Sequence, residues 1–230
     1  MRRKYGNISN AVKSVVRKYP YIIPCLSMGI INYSKLASQI KGDVDTLLDV
    51  DVNIDSIKMS LIRYSRELET YYNLRDSINV LSGSSLQLIS DVVLVTVELS
   101  TLLNVFDKIL SILSGRRFIQ ITQGRNTATL VMEYNVYEDL MDEFKDVISI
   151  MDNKAAILIV SPEDIIYTPG VIYLISCLLY VNKINITQII SSYIDTIIIV
   201  DRAYGSKACE VIDEFIKWYR GGSNGDRTIL

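Results

Sequence analysis

The chain contains no histidine at all and only three cysteines among its 230 residues. Histidine is the commonest general base and the commonest transition-metal ligand in proteins. Its absence excludes a histidine-based catalytic triad and a zinc site, and we expect no catalytic residue, no metal and no cofactor. The cysteines Cys25, Cys177 and Cys209 are odd in number and far apart. This spacing argues against a disulfide framework and indicates a reducing compartment.

The sequence also has no long uninterrupted apolar run. Its basic start soon meets further charged residues, without the continuous apolar core of a signal peptide. The segment from Ile165 to Val181 is apolar, but Thr168-Pro169-Gly170 interrupts it, and it is shorter than the about 20 residues that a membrane span needs. We therefore expect a cytoplasmic protein with no membrane partner.

The overall composition predicts a folded chain of two or three small domains, because 49% of the residues are hydrophobic and the mean hydropathy is +0.24. The net charge of −2 hides an asymmetry. Residues 1–41 contain Lys and Arg but no Asp or Glu, and a cluster of aspartates from Asp43 to Asp55 follows. The basic segment could bind nucleic acid or an acidic partner, whereas the aspartates could neutralise it in the fold.

Residues 1–81 show a helical spacing of apolar residues and no strand signal. The most regular run extends from Ile54 to about Tyr72, with one apolar face made by Ile57, Leu61, Tyr64 and Leu68. Asn53 is the N-cap candidate for this helix, and Asn32 or Ser34 for the helix that precedes it. The sequence therefore predicts an N-terminal helical domain.

Two of these predicted helices, Tyr33 to Ile40 and Ile54 to Tyr72, have the order of a helix-turn-helix domain. The segment from Lys41 to Asn53 is much longer than the usual turn of about 3–4 residues. The alternative is a helical packing or dimerisation domain. If the domain binds DNA, the basic residues that would contact it are Arg2, Arg3, Lys4, Arg17, Lys18, Lys35, Lys58, Arg63 and Arg66.

After a short linker, Ser82 to Ser85, the pattern changes to strand, helix, strand, strand, helix. The last helix of this module is predicted from Tyr137 to Ile150, with Leu140, Phe144, Val147 and Ile148 as its apolar stripe. We predict a first module over residues 86–150.

The same order returns in residues 151–220. When the sequence is aligned with itself at a shift of 68 residues, Gln120 aligns with Gln188 and Ile121 with Ile189, without a gap. The final helix is predicted from Ser206 to Tyr219, and residues 221–230 read as a flexible tail. The predicted fold class is therefore α+β, with a helical domain followed by two modules of paired antiparallel sheets.

One segment of the second module carries a more specific signal. A strand from Ala155 to Val160 leads to Tyr167-Thr168-Pro169-Gly170-Val171, a helix, and then Asn185-Ile186. Proline fixes its own φ, and glycine lets the backbone pass close to a neighbour where the helix begins. This segment resembles the ACT domain, the ligand-sensing module of aspartokinases, and the whole chain resembles tandem, ferredoxin-like ACT modules behind a helical domain.

The resemblance implies a non-enzymatic, dimeric regulatory protein that binds an amino acid. The implied ligand site consists of Tyr167, Thr168, Pro169, Gly170, Val171, Asn185 and Ile186. The ligand carboxylate would lie on the amide groups that open the helix, and Asn185 would bind the ligand through its amide. Leu99 to Leu102 stand where the first module would have this turn, so the first module is expected to be structural.

The sequence leaves four functions open. The chain could be a sensor that signals through a dimer or domain rearrangement, or a ligand-responsive transcription regulator. It could also be the regulatory subunit of an amino-acid biosynthetic enzyme or a dimerisation module.

Overall fold

The computed structural model describes residues 7–71, 74–115 and 117–221. Within this range the chain forms two compact units that divide after Arg75. The first unit is helical and consists of α1 (Ile8–Val16), α2 (Ile23–Ser27), α3 (Tyr33–Leu48) and α4 (Ile54–Tyr71). None of the helices in the described part of the chain is long and apolar enough to cross a membrane.

The start of each long helix in the first unit follows from its capping residue. The Asn32 side chain accepts a hydrogen bond from the backbone N–H of Lys35 at 3.0 Å, and Asn53 accepts one from Asp55 at 2.8 Å. Both asparagines therefore satisfy amide groups that have no partner inside the helix. The predicted apolar face of α4 is confirmed, because Ile57, Leu61, Tyr64 and Leu68 are all buried.

The predicted end of α3 at Ile40 is wrong. The helix continues to Leu48 because Val44 is buried on the same face, and it ends where Asp49 adopts a left-handed backbone with φ of 56°. Lys41 therefore lies inside the helix, and its ammonium donates to Asp45 at 2.6 Å and to Asp51. The bond to Asp45 raises the pKa of Lys41, and the same bond, followed by the Val52 amide, lowers the pKa of Asp45.

The second unit begins at Asp76, within the first turn of α5 (Arg75–Ser82), a helix that the sequence predicts as part of the helical domain. Val80 and Leu81 of this helix are buried in the core of the second unit. The remaining elements are β1 (Ser85–Glu98), α6 (Leu99–Ser114), β2 (Ile119–Gln123), β3 (Thr127–Glu133), α7 (Tyr134–Leu140), β4 (Val147–Val160), α8 (Val171–Val181), β5 (Gln188–Ser192), β6 (Asp195–Asp201) and α9 (Arg202–Arg220). The order strand, helix, strand, strand, helix thus occurs twice.

The helix predicted from Tyr137 to Ile150 is wrong beyond Leu140. A short 3₁₀ turn follows α7, Asp146 takes a positive φ of 53°, and Val147 begins β4. The β-branched residues Val147, Ile148 and Ile150 favour a strand, and their helical spacing with Leu140 was coincidental. As a result β4 extends well before Ala155 and spans the module boundary that we placed at residue 150.

The six strands form one antiparallel sheet in the order β2-β3-β1-β4-β6-β5. The two long strands, β1 and β4, pair at its centre. Their register is symmetric about the pair Val92–Lys154: Ile89 faces Ala156 on one side, and Leu94 faces Met151 on the other. Each strand contains an irregularity at the corresponding place, so the central pairing has approximate two-fold symmetry.

Helices cover one face of this sheet in two separate cores. The core under α6 and α7 contains Val95, Ile109 and Leu130, and the core under α5, α8 and α9 contains Ile157, Ile175 and Ile198. The strands alternate their side chains between the two faces. A further apolar cluster of strand residues, including Val92, Val131 and Ile199, therefore lies on the opposite face.

The two halves differ most where the first strand meets its helix. In the first half, Glu98 ends β1 and Leu99 begins α6 directly. In the second half, residues 161–170 separate β4 from α8. The strands β3 and β6 still correspond at a shift of 68 residues, since they span Thr127–Glu133 and Asp195–Asp201.

Candidate functional site

The connection between β4 and α8 forms a compact turn with its own hydrogen bonds. The carbonyl of Asp164 accepts the backbone N–H groups of Tyr167 and Thr168, at 3.1 and 3.0 Å, and the Thr168 hydroxyl at 2.8 Å. Gly170 then adopts φ of 97°, which a residue with a side chain rarely takes. These hydrogen bonds and the backbone of Gly170 give the turn Thr168-Pro169-Gly170 a defined shape.

Residues of α5 and of the turn that follows it contact both ends of the connection between β4 and α8. Ser77 is buried, and its hydroxyl donates to the Pro169 carbonyl at 2.7 Å. The hydroxyl of Ser84 lies 2.9 Å from that of Ser161, where the connection begins. A Cβ on Gly83 would come within 2.8 Å of Pro162 Cγ, so this glycine permits a close approach. These contacts fix both ends of the turn.

A cleft of about 500 Å³ opens beside this turn. Four of the residues predicted from the sequence line it: Thr168, Pro169, Gly170 and Val171. The other lining residues are Ile165, Ile166, Ile172, Ser191 and Tyr193. The walls are mostly apolar, with three hydroxyl groups and no charged side chain, so the cleft fits a small molecule that presents an apolar surface.

The first turn of α8 forms one wall of the cleft. Its first helical hydrogen bond runs from the Leu174 amide to the Gly170 carbonyl, at 3.0 Å. The preceding amide groups of an α-helix have no partner within the helix, and Gly170 has no side chain to cap them. This end of the helix attracts a negative charge, because the peptide dipoles add along the helix axis.

The opposite wall comes from the end of β5 and the turn that follows. Tyr193 has a left-handed backbone with φ of 54°, and its hydroxyl donates to Glu163 at 2.9 Å. Glu163 does not line the cleft itself, but its carboxylate lies beside a lining residue. The site therefore combines an apolar interior with donors on α8 and an acid at the edge.

The other three residues predicted to bind the ligand do not line this cleft. Tyr167 is 84% exposed, and neither Asn185 nor Ile186 is among the described residues that line the cleft. Ile186 packs partly against the core under α8. The sequence missed Ser191 and Tyr193. Ser191 lies near the end of β5, where it pairs with Thr196 of β6, and Tyr193 follows in the turn between the two strands.

The residues predicted for DNA binding are distributed over the first unit. Arg17 and Lys18 follow α1, Lys35 lies in the first turn of α3, and Lys58, Arg63 and Arg66 lie along α4. Arg2, Arg3 and Lys4 are outside the described residues. A groove of about 850 Å³ between α1 and α4 includes Arg63, but acidic Asp55 and Glu67 line it as well. This groove is therefore not uniformly basic.

The described residues also hold little that suggests metal or thiol chemistry. They contain no group of three or more Cys, Asp or Glu side chains placed to bind a metal ion. The three cysteines are free thiols and half-buried. Burial raises the pKa of the Cys209 thiol, which lowers its reactivity.

No protein-family model matches the chain, and no curated protein matches it. Solved structures do match parts of it. Aspartate kinase from Clostridium acetobutylicum, described as an allosteric enzyme, is 22% identical, with a TM-score of 0.43 over 58% of this chain and 34% of its own. The regulatory subunit of aspartate kinase from Thermus thermophilus is 14% identical, with a TM-score of 0.41 over 56% of this chain and 94% of its own.

A Vibrio cholerae protein of unknown function, described as a possible transport protein, is 15% identical, with a TM-score of 0.43 over 63% of this chain and 99% of its own. The chain spans about a third of the length of the Clostridium enzyme. None of these likenesses supports the DNA-binding alternative. At such low identities and TM-scores they show what the chain is similar to, and its function has to be inferred from its own residues.

Proposed function

We propose that this protein is a non-enzymatic regulatory protein that binds an amino acid in the cleft beside α8. The observation that carries the proposal is the turn Thr168-Pro169-Gly170, which places a helix end without a side-chain cap in the same cleft as the hydroxyl groups of Ser191 and Tyr193. An α-amino acid has a carboxylate for the helix end and a side chain for the apolar wall. A molecule of this size fits within a cleft of about 500 Å³.

The binding mode follows from the charges around the cleft. The ligand carboxylate would accept hydrogen bonds from the amide groups of Val171 and Ile172, where the helix dipole favours an anion. The ammonium group would point towards the Glu163 carboxylate, which already accepts the Tyr193 hydroxyl. Each charged end of the ligand then meets an opposite charge or dipole.

The architecture supports different roles for the two halves of the sheet. The halves share an element order and a two-fold symmetric central pairing, as two ACT-type modules would. Only the second half has a connection between its first strand and its helix. We propose that the second half binds the ligand and the first half is its structural partner.

A regulatory role requires that the ligand favours one of two arrangements of the protein, since equal binding to both would shift nothing. The Ser77–Pro169 hydrogen bond offers a route, because it joins the ligand-facing turn to α5, the element that opens the second unit. A homodimer, or association with an enzyme subunit, would convert that local change into a signal. Both partners belong to the proposal.

The test is a thermal-shift screen of the intact chain against the twenty amino acids, followed by calorimetric titration of any that bind. A ligand that binds only the folded state raises the melting temperature. We expect at least one amino acid to do so. Failure of all twenty, at concentrations up to several millimolar, would refute the amino-acid proposal.

Two matched variants locate the binding site. Ile166→Glu places a carboxylate on a cleft residue that is 43% exposed, and Leu110→Glu does the same on α6 at a residue that is 49% exposed. Ile166→Glu should weaken binding at least tenfold by repelling the ligand carboxylate, whereas Leu110→Glu should not change it. Equal effects would place the ligand elsewhere. Asn185→Ala tests the remaining predicted contact: unchanged affinity removes Asn185 from the site.

A further inference from the structure

One buried hydroxyl next to the cleft has no hydrogen-bond partner. Among the buried side-chain polar atoms of the described residues, only Thr196 Oγ1 lacks one, and Thr196 is 0% exposed. Buried polar groups are nearly always paired, because an unpaired one loses its hydrogen bonds to water without replacement. The position of this atom therefore needs an explanation.

Thr196 lies on the helix-covered face of β6, directly opposite Ser191 on β5. Cross-strand partners project their side chains to the same face, with Cβ atoms about 4.5–5.5 Å apart. Ser191 lines the cleft, so the Thr196 hydroxyl lies one side chain behind the cleft wall. A ligand group that enters beside Ser191 would come within reach of it.

The first half of the sheet provides an internal comparison. Ala128 on β3 corresponds to Thr196 on β6, because the two strands match at a shift of 68 residues. Ala128 is also 0% exposed. That half has no connection before its helix and no hydroxyl at this position. The polar atom is present where the cleft is present, and an apolar residue takes its place where β1 runs directly into α6.

Two other hydroxyl groups at the cleft already donate to protein atoms, which leaves the Thr196 hydroxyl as a further donor for a ligand. The Thr168 hydroxyl already donates to the Asp164 carbonyl, and the Tyr193 hydroxyl donates to Glu163. A ligand carboxylate bound among apolar residues needs several donors, because each unpaired lone pair costs free energy. The first amides of α8 can supply some of these donors, and the Thr196 hydroxyl has no existing partner that would prevent it from supplying another.

Building on the proposed function, we infer that the cleft selects amino acids with an uncharged apolar side chain, of the size of leucine, and that Thr196 donates to the ligand carboxylate. The apolar side chain packs against Ile165, Ile166 and Ile172, where a lysine or aspartate side chain would lose its hydration without meeting an opposite charge. Leucine should therefore bind at least tenfold more tightly than lysine or aspartate.

The experiment compares Thr196→Val with the wild type by thermal melting and by calorimetric titration of leucine, lysine and aspartate. Valine keeps the shape of threonine and removes the hydroxyl. Without ligand, the melting temperature should rise by about 2–4 °C, because an unsatisfied buried hydroxyl has been removed. With leucine, the affinity should fall about tenfold, because the ligand loses a hydrogen bond to a charged group.

Thr129→Val is the matched control, because its hydroxyl lies 3.0 Å from that of Thr96 in a cross-strand pair. It should neither raise the melting temperature nor change leucine affinity. Tighter binding of lysine or aspartate than of leucine, or an unchanged leucine affinity in Thr196→Val, would overturn this inference while leaving the proposed function intact. If no amino acid binds at all, both fail together.

Discussion

Substitution of one helical glycine should destabilise the second unit by steric overlap. Gly205 lies in the first turn of α9, and a Cβ built on it would stand 2.6 Å from Ala155 Cβ on β4. Ala155 is buried and belongs to a strand, so it cannot move aside cheaply. Overpacking of this kind costs about 1–3 kcal/mol, offset by about 1 kcal/mol from replacing glycine in a helix.

A contact of 2.6 Å is short enough to place the overpacking cost in the upper part of this range, so we expect Gly205→Ala to lower the free energy of unfolding by about 1–2 kcal/mol. Urea denaturation followed by circular dichroism measures the change, and the fluorescence of Trp218, the single tryptophan and a residue of α9, reports on the same helix. Gly42→Ala is the control. This glycine lies inside α3 with nothing within 4 Å of the added atom, so its substitution should stabilise the protein by up to about 1 kcal/mol.

A second background tests the cause of the loss. In a protein that carries Ala155→Gly, the overlapping methyl group is absent, so the added Gly205→Ala change should become neutral or stabilising. This reversal of sign is specific to the contact between α9 and β4. If Gly205→Ala is as stable as the wild type, or costs the same in both backgrounds, the packing of α9 against β4 described above is incorrect.

Three further perturbations have expected outcomes. Gly170→Ala puts a side chain on a backbone with φ of 97°, so it should cost roughly 1–2 kcal/mol in urea denaturation and weaken any cleft ligand; full stability would contradict the left-handed turn. Ser77→Ala removes the donor to the Pro169 carbonyl and should cost about 1 kcal/mol, with faster amide exchange at Thr168; unchanged exchange would show that this bond does not hold the turn. The lowered pKa of Asp45 stabilises the fold above its unfolded-state pKa of about 3.9, and that contribution is lost as the pH falls through the folded-state pKa. Asp45→Asn should therefore lower stability more at pH 7 than at low pH, and equal losses at both would be inconsistent with the ion pair to Lys41.

The sequence predicted those features that depend on local chemistry. Asn32 and Asn53 cap helices because asparagine accepts amide hydrogen bonds, and the apolar stripe of α4 is buried because its spacing places it on one face. The turn Thr168-Pro169-Gly170 could be predicted because it, too, depends on local backbone chemistry. Proline and glycine restrict the backbone wherever they occur.

Features that depend on pairing between distant strands could not be found in this way. The residues from Val147 to Ile150 have helical spacing but lie in β4, since pairing with β1 overrides the local pattern. The register of β5 and β6 brings Ser191 to the cleft and places Thr196 opposite it, and single-sequence periodicity does not specify that register. The position of Asn185 relative to the cleft likewise depends on how the chain leaves α8.

The most direct test of the central claim is a ¹H–¹⁵N correlation spectrum of the labelled chain during a titration with leucine. We expect progressive, saturable shifts at the amides of Gly170, Val171, Ile172, Ser191 and Tyr193, which line the cleft. The corresponding part of the first half, around Leu99, should stay unchanged. An unperturbed spectrum with every amino acid tested, or shifts confined to residues outside the cleft, would contradict the assignment of this cleft as the ligand site.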